Sequence, residues 1–250
     1  MKKIQAKISS KLFGLSLLLL WQIIAMIIDA HYILPSPVQV VVKLWELRYT
    51  LFCVQLPATM TITVIGLLIS IVLGLGLAII MDSSEKIEKA VYPVVIVSQT
   101  IPTTAIAPLF VLWFGYGIWS KILVTILITF FPITISVFDG LRSCKKDMLE
   151  LLITQGASKI EIFTKLKIPT ALPHFFSAIK MAIPLSIIGA AISEWLGAQS
   201  GLGYFSKRMM TQLDGAGVFA PIVLLSIVAM ILVKIIAVLE EKLITWRTDL

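Results

Sequence analysis

The sequence predicts an all-α, polytopic membrane protein with about six transmembrane helices, forming a single domain over residues 1–250. Hydrophobic residues make up 58% of the chain and charged residues only 14%, and the mean hydropathy is strongly positive. A soluble chain of this length does not need so much apolar surface. Apolar runs also recur at roughly 20 residues, the length that a helix needs to cross the bilayer core.

Six segments of the chain have the length and composition of a membrane span. The first follows a basic start, and we expect an uncleaved helix there because no signal-peptidase site closes its apolar run. The segments are residues 12–29, 58–81, 90–114, 119–140, 174–197 and 218–239.

The distribution of basic residues predicts the orientation of these spans. With the N-terminus in the cytoplasm, most Lys and Arg residues outside the spans fall on the cytoplasmic side, as the positive-inside rule requires. The exceptions are Lys43, Arg48, Lys121, Lys207 and Arg208. Both termini are therefore expected in the cytoplasm, and the net charge of +7 reflects topology and not nucleic-acid binding.

The segments between the spans are short. Leu34-Pro35-Ser36-Pro37 predicts an extended turn, because residues before proline leave the helical region. Residues 38–56 are amphipathic and are expected at the outer interface, residues 82–89 form a charged cytoplasmic turn, and residues 198–217 form a glycine-rich outer loop.

Two predicted spans carry small residues at every fourth position. In the second span these are Gly66, Ser70, Gly74 and Ala78, and ordinary close helix packing is the favoured interpretation. In the fifth span they are Ala178, Ala182, Ser186 and Ala190, and the stripe runs on to Glu194. Because an ionisable residue ends the second stripe, we expect that stripe to face a translocation path.

Residues 145–169, between the fourth and fifth spans, predict two short helices joined by a sharp turn. Asp147 and Glu150 form a helix start signal, and Gly156 is a natural stop because glycine tolerates positive φ. Ser158 and Glu161 form a capping box that opens the second helix, and Pro169 is expected to close it. From the residues alone, this segment either docks in a groove of a partner protein or lies on lipid headgroups.

The spacing of this segment resembles the cytoplasmic coupling loop of bacterial ABC-importer permeases. Glu150, Gly156, Leu166, Ile168 and Pro169 follow the pattern Glu-x5-Gly-x9-Leu-x-Ile-Pro, although the family's Glu-Ala-Ala is here Glu150-Leu151-Leu152. The resemblance implies docking to an ATPase subunit. The residues that it assigns to docking are Glu150, Leu151, Leu152, Gly156, Ala157, Ser158, Phe163, Leu166, Ile168 and Pro169.

The resemblance extends over roughly residues 12–247 and points to the nitrate, sulfonate and taurine branch of these permeases. It is carried by Leu34 to Pro37, Ile101-Pro102, Ala107 to Leu109, Trp113 to Gly115, Glu194 to Gly197 and Gly201 to Tyr204. The sequences of residues 98–117 and 193–204 are most similar to those of permeases for a pyrimidine precursor of thiamine. Sulfonate, taurine, nitrate and riboflavin remain alternative substrates.

Membership of this family would imply several partners. Such permeases work as dimers in the bacterial inner membrane, bound to two copies of a cytoplasmic ATPase and supplied by an extracytoplasmic binding protein. ATP and Mg²⁺ would then belong to the ATPase, and no cofactor, metal or catalytic residue is expected in this chain.

Candidate residues for the translocation path or its gate lie near the outer ends of the third and fifth spans. Acids inside membranes are costly and suggest function, but Glu194 could instead pair with Lys207 or Arg208 or cap local backbone. The candidates are Ser186, Ala190, Glu194, Trp195, Trp113 and Phe114. Aromatic residues at these positions are also typical of interface belts.

Two other classes of function compete with this interpretation. An enzyme that hydrolyses ATP is excluded, because no glycine in the chain precedes a lysine and a P-loop is therefore absent. A secondary transporter that needs no ATPase is the stronger rival, but such proteins usually carry inverted repeats and more charge at mid-membrane.

Overall fold

The computed structural model describes residues 2–28 and 30–246, with side chains described from residue 12 onward. Residue 29, the last of the first predicted span, and Arg247 lie outside the described residues. The described part of the chain is helical and contains no strand, which confirms the all-α class. Its helices are α1 Lys2–Ile28, α2 Pro37–Glu46, α3 Leu56–Ser83, α4 Glu85–Ser98, α5 Thr103–Phe114, α6 Ile118–Arg142, α7 Lys146–Thr154, α8 Lys159–Ile162, α9 Ile168–Glu194, α10 Leu202–Thr211 and α11 Gly215–Leu243.

Four continuous helical stretches in the described chain are long and apolar enough to cross a membrane. They are Thr50–Ser83, Ile118–Arg142, Lys159–Glu194 and Gly215–Leu243, and they correspond to the second, fourth, fifth and sixth predicted spans. The first of them begins earlier than predicted, because π-helical residues Thr50–Gln55 run directly into α3. Residues 38–49, which include most of α2 with its Ser36–Gln39 capping box, therefore remain of the predicted interfacial segment 38–56.

The third predicted span, residues 90–114, is interrupted at Pro102. It is a pair of helices, α4 and α5, that meet at 95°. Pro102 lies at the break with φ −61° and ψ 117°, and the ring of a proline removes the N–H that would continue the helix. Pro108 and Pro184 lie inside α5 and α9 and do not end these helices.

The described apolar part of α1, Leu12–Ile28, is shorter than the four long stretches, so its assignment as the first span stays a prediction. Trp21, in the C-terminal part of α1, holds this helix to the rest of the chain. The indole N–H of Trp21 donates to the Pro35 carbonyl at 3.1 Å, and its ring lies 5.8 Å from that of Phe219.

The centre of the fold is a three-helix core formed by α3, α6 and α9. All four small residues of the α3 stripe are buried, and the Ser70 and Thr129 hydroxyls lie 2.6 Å apart across the contact with α6. A Cβ at Gly74 would lie 2.8 Å from Ile133 Cγ2. The close-packing interpretation of this stripe is therefore confirmed, because small residues let helix backbones approach inside lipid.

We call the end of this core that carries residues 145–169 the coupling end, and we call those residues the coupling segment. Helices α3 and α9 run between the two ends in opposite directions. The starts of α3, α10 and α11 lie with the last residue of α9 at the other end, which we call the opposite end.

Candidate functional site

The first helix of the coupling segment ends in a glycine turn. Gly156 has φ +79°, its N–H donates to the Ile153 carbonyl at 2.9 Å, and the Ala157 N–H donates to the Leu152 carbonyl at 3.0 Å. These two bonds form a Schellman motif, which requires a left-handed residue at the position of Gly156. The predicted helix stop is confirmed, and glycine is needed because other residues rarely adopt this φ.

The start of α7 differs from the prediction. Its N-cap is Lys145, whose side chain makes no capping hydrogen bond, and Asp147 lies in the first turn instead of capping it. A carboxylate in the first turn still interacts favourably with the helix dipole. The Asp147–Glu150 signal therefore indicated the presence of the helix but not the residue that begins it.

The second helix of the segment opens with the predicted capping box. The Glu161 N–H donates to Ser158 Oγ at 3.3 Å, and the Ser158 N–H donates to Glu161 Oε2 at 2.9 Å. The box satisfies backbone donors at the helix start, so the geometry of the turn is specified on both sides of Gly156.

Pro169 does not close the second helix, which corrects the prediction. Helix α8 passes through a π-helical turn, Phe163–Lys167, into α9 without a break, and Pro169 lies in the first turn of α9. A proline is tolerated in the first turn of a helix, and a π-helical turn is a recognised way to absorb such an irregularity. The coupling segment is therefore continuous with a helix that crosses the whole core.

The ten residues assigned to docking divide by exposure. Glu150, Leu151, Gly156, Ser158 and Ile168 are exposed, whereas Leu152, Ala157, Phe163 and Pro169 are half-buried and Leu166 is buried. Phe163 packs against the main core cluster. Phe163 and Leu166 thus help to hold the segment to its own bundle, and a docking role for the ten residues stays a prediction.

The exposed apolar surface of the segment lies around the glycine turn. Leu151 and Ile153 are each 57% exposed and Ile160 is 76% exposed. Sequence reasoning did not single out Ile153 and Ile160, although both are large apolar residues next to the turn. Apolar side chains on a short projecting helix are what a groove on a partner protein binds.

Glu194, the acid of the fifth predicted span, caps a helix at the opposite end. Its side chain is 1% exposed, and Glu194 Oε2 accepts the Gly203 N–H at 2.7 Å. The neighbouring Gly201 N–H donates to Gln55 Oε1 at 2.7 Å, and the Leu202 N–H donates to Thr59 Oγ1 at 2.8 Å. The N-terminus of α10 is thus capped by side chains from two other helical stretches.

This arrangement corresponds to the capping alternative for Glu194. Lys207, which was one of the alternative partners of Glu194, instead donates from its ammonium group to the Trp195 carbonyl at 2.7 Å. Gln55 and Thr59 were missed by sequence reasoning, because nothing near them in the sequence indicates a partner more than 140 residues away.

The profile of the family described as "Binding-protein-dependent transport system inner membrane component" matches residues 70–245. The chain belongs to this family. It is the membrane permease subunit of an ABC importer. The matched range includes the whole coupling segment and Glu194, so both sites described above lie within the family region.

Several curated relatives of the permease are transport permeases with different substrates. The chain is 50% identical over 99% of its length, and 99% of the relative's, to the formylaminopyrimidine transport permease protein ThiX of Halalkalibacterium halodurans. It is 31% identical to the riboflavin transport system permease protein RibX of Chloroflexus aurantiacus, covering 87% of this chain and 82% of that one. It is 30% identical to the putative aliphatic sulfonates transport permease protein SsuC of Bacillus subtilis, with 92% and 84% covered.

Solved structures share the fold of the permease. A chain of the MetNI methionine ABC transporter in an inward-facing conformation superposes with a TM-score of 0.65 at 19% identity, covering 82% of this chain and 98% of that chain. An amino acid ABC transporter chain gives a TM-score of 0.64 at 16% identity, with the same coverage. At these identities the likeness establishes the fold alone.

The remaining candidates for the translocation path differ in their exposure to solvent. Ser186 and Ala190 are fully buried, and Ala190 packs with Ile62 and Ile122, so this part of the α9 stripe contacts neighbouring helices. Trp113, Phe114 and Trp195 are 63%, 55% and 48% exposed. A role in the translocation path stays a prediction for these five residues.

An ion pair joins α2 to the start of α11 at the opposite end of the permease. Lys43 Nζ lies 2.8 Å from Asp214 Oδ2. The hydrogen bond to Asp214 raises the pKa of Lys43. Burial raises the pKa of Asp214, but the Lys43 hydrogen bond and the Gly217 N–H outweigh it, so this pKa lies below its ordinary value. The pair is therefore charged across the physiological range of pH.

Proposed function

We propose that the permease imports a small pyrimidine of the formylaminopyrimidine type, with its coupling segment docked on a cytoplasmic ATPase. The observation that carries the docking is the rigid turn at Gly156 between two short helices with exposed apolar residues. Because α8 continues into α9, a displacement of the docked segment moves a helix that crosses the core. Rigid transmission of this kind needs a firmly held turn, which the Schellman motif and the capping box provide.

The proposal divides the chemistry between subunits. ATP and Mg²⁺ are held by the ATPase partner, since this chain has no P-loop. The permease itself undergoes rigid-body rocking of its helices between inward-open and outward-open arrangements. An extracytoplasmic binding protein delivers the substrate to the end opposite the coupling segment.

The positions of the basic residues support the orientation in the bacterial inner membrane. Lys145, Lys146, Lys159, Lys165 and Lys167 all lie in the coupling segment. The positive-inside rule therefore favours the cytoplasm for this end and for both termini.

We further propose that two copies of the permease bind two copies of the ATPase. The helices of one copy form too small a bundle for a gated path. In addition, only 6% of the most apolar 18-residue stretch of α11 is buried, which leaves surface for lipid or a second copy. A purified complex with one permease per two ATPases would contradict this stoichiometry.

The pyrimidine substrate rests on the formylaminopyrimidine permease, whose identity to this chain is well above that of the riboflavin and sulfonate permeases. Aliphatic sulfonate, taurine, nitrate and riboflavin are the alternatives within the family. Much of the selectivity of such importers resides in the binding protein, so the test must include the natural partners.

Uptake by intact cells tests the substrate. A strain lacking the permease gene is complemented with wild type or with Gly156→Pro, and uptake of labelled formylaminopyrimidine, an alkylsulfonate and riboflavin is measured. We expect only wild type to restore uptake, and only of the pyrimidine. Restored uptake of the sulfonate or riboflavin without the pyrimidine would overturn the substrate while leaving the ABC-importer role intact.

A further inference from the structure

The coupling segment is attached to the rest of the permease by ion pairs at both of its ends. Just before the segment, the Arg142 guanidinium binds both carboxylate oxygens of Glu88, with one N–O distance of 2.8 Å. Near its end, Lys167 Nζ contacts both oxygens of Asp82 at 2.7 and 2.8 Å. The partners are 54 and 85 residues apart in the chain, so neither pair is a local helix contact.

Both acids belong to one turn. Asp82 lies at the end of α3 and Glu88 at the start of α4, on either side of the break at Ser84. The two ends of the coupling segment are therefore joined to the two sides of the α3–α4 turn, where the predicted charged turn of residues 82–89 lies.

The middle of the segment is packed loosely by comparison. None of the side chains of α7, all of which lie in the described part of the chain, is buried. A groove of about 520 Å³ separates the segment from the end of α3, and Ile79, Leu149, Ile160 and Phe163 are among its lining residues. Apolar packing alone therefore does not fix α7 to α3.

Three of the four side chains in these pairs are largely shielded from solvent. The Asp82 side chain is 6% exposed and that of Lys167 is 24% exposed, whereas Glu88 is 20% exposed and its partner Arg142 is 45% exposed. Exposed pairs contribute little, but removing one partner of a buried pair leaves an uncompensated charge. Bidentate contacts to a carboxylate also restrict orientation.

We propose that Arg142–Glu88 and Lys167–Asp82 form a two-point attachment that makes the α3–α4 turn move with the coupling segment. The four residues are positioning residues for transport, and they extend the movement beyond α9 to α4 and its bent partner α5. This inference rests on the proposed docking to an ATPase. It adds a second route, separate from the continuous α8–α9 helix, by which ATPase closure reaches the membrane helices.

Charge exchange between the partners tests the attachment. Lys167→Gln and Arg142→Gln each remove one cation, while Asp82→Lys with Lys167→Asp and Glu88→Arg with Arg142→Glu restore opposite charges in exchanged positions. The matched control is Glu85→Gln, which breaks an exposed pair with Lys89 inside α4 at the same end of the molecule. The readouts are recovery of the ATPase subunit with the tagged permease and substrate uptake per ATP hydrolysed in proteoliposomes.

We expect each single variant to recover the ATPase but to transport about tenfold less substrate per ATP, within the usual range of coupling between sites. The exchanged pairs are expected to regain most of the ratio, and Glu85→Gln to keep it. Single variants with a wild-type ratio would overturn the inference, as would folded exchanged pairs that regain nothing. If a single variant does not fold, the exchanged pair alone tests the inference, and the readout is again the substrate transported per ATP hydrolysed. Failure of the wild-type permease to recover an ATPase would instead overturn the proposed function.

Discussion

Replacing Gly156 with proline is expected to abolish recovery of the ATPase subunit with the permease. Proline fixes φ near −65°, whereas Gly156 has φ +79°. Proline also lacks the N–H that donates to the Ile153 carbonyl. The Schellman turn cannot form, so α7 and α8 lose the relative orientation that presents Leu151, Ile153 and Ile160 to a partner. Co-purification of tagged wild type and variant from native membranes measures the effect.

Gly156→Ala is the matched variant for this prediction. A Cβ at Gly156 would meet no described atom within 4 Å, so alanine adds only the left-handed backbone strain of about 1 kcal/mol. We expect it to recover most of the ATPase. Equal recovery with Gly156→Pro and wild type, in protein of normal heat stability, would show that the turn does not govern docking.

Replacing Glu194 with alanine is expected to give the largest loss of stability at the opposite end of the permease. The substitution removes the acceptor of the Gly203 N–H in a fully buried site. A buried donor left without its partner costs roughly 1–3 kcal/mol, and the empty volume adds to this. For a chain of this size we expect the unfolding temperature in detergent to fall by about 5 °C.

Glu194→Gln separates capping from charge. Glutamine has nearly the same shape, and its carbonyl oxygen can accept the Gly203 N–H. We therefore expect it to retain most of the stability lost in the alanine variant. A glutamine variant as unstable as alanine would indicate that the charge of Glu194, and not its acceptor oxygen, stabilises the site.

The features predicted correctly from the sequence are those decided by neighbouring residues. The stop at Gly156 and the capping box of Ser158 and Glu161 involve contacts within five residues. The long apolar helices follow from composition, because only helices satisfy their own backbone groups in lipid. These signals are present in the sequence itself.

The features that were wrong or missed depend on packing between distant segments. Pro169 reads locally as a helix end, but the chain continues because α9 packs along the core. The caps of α10 by Gln55 and Thr59 and the ion pairs of Asp82 and Glu88 join residues more than 50 positions apart. Charge and polarity identify such residues as candidates, but only the fold determines which partners meet.

Site-specific photo-crosslinking in native membranes tests the central claim most directly. A photoreactive residue replaces Ile160, which is 76% exposed in the coupling segment, or Leu213, which is 71% exposed at the opposite end. We predict that position 160 crosslinks to an ABC ATPase subunit, identified by mass spectrometry, and that position 213 does not. Absence of an ATPase adduct at position 160, or an ATPase adduct at position 213 alone, would contradict docking through the coupling segment.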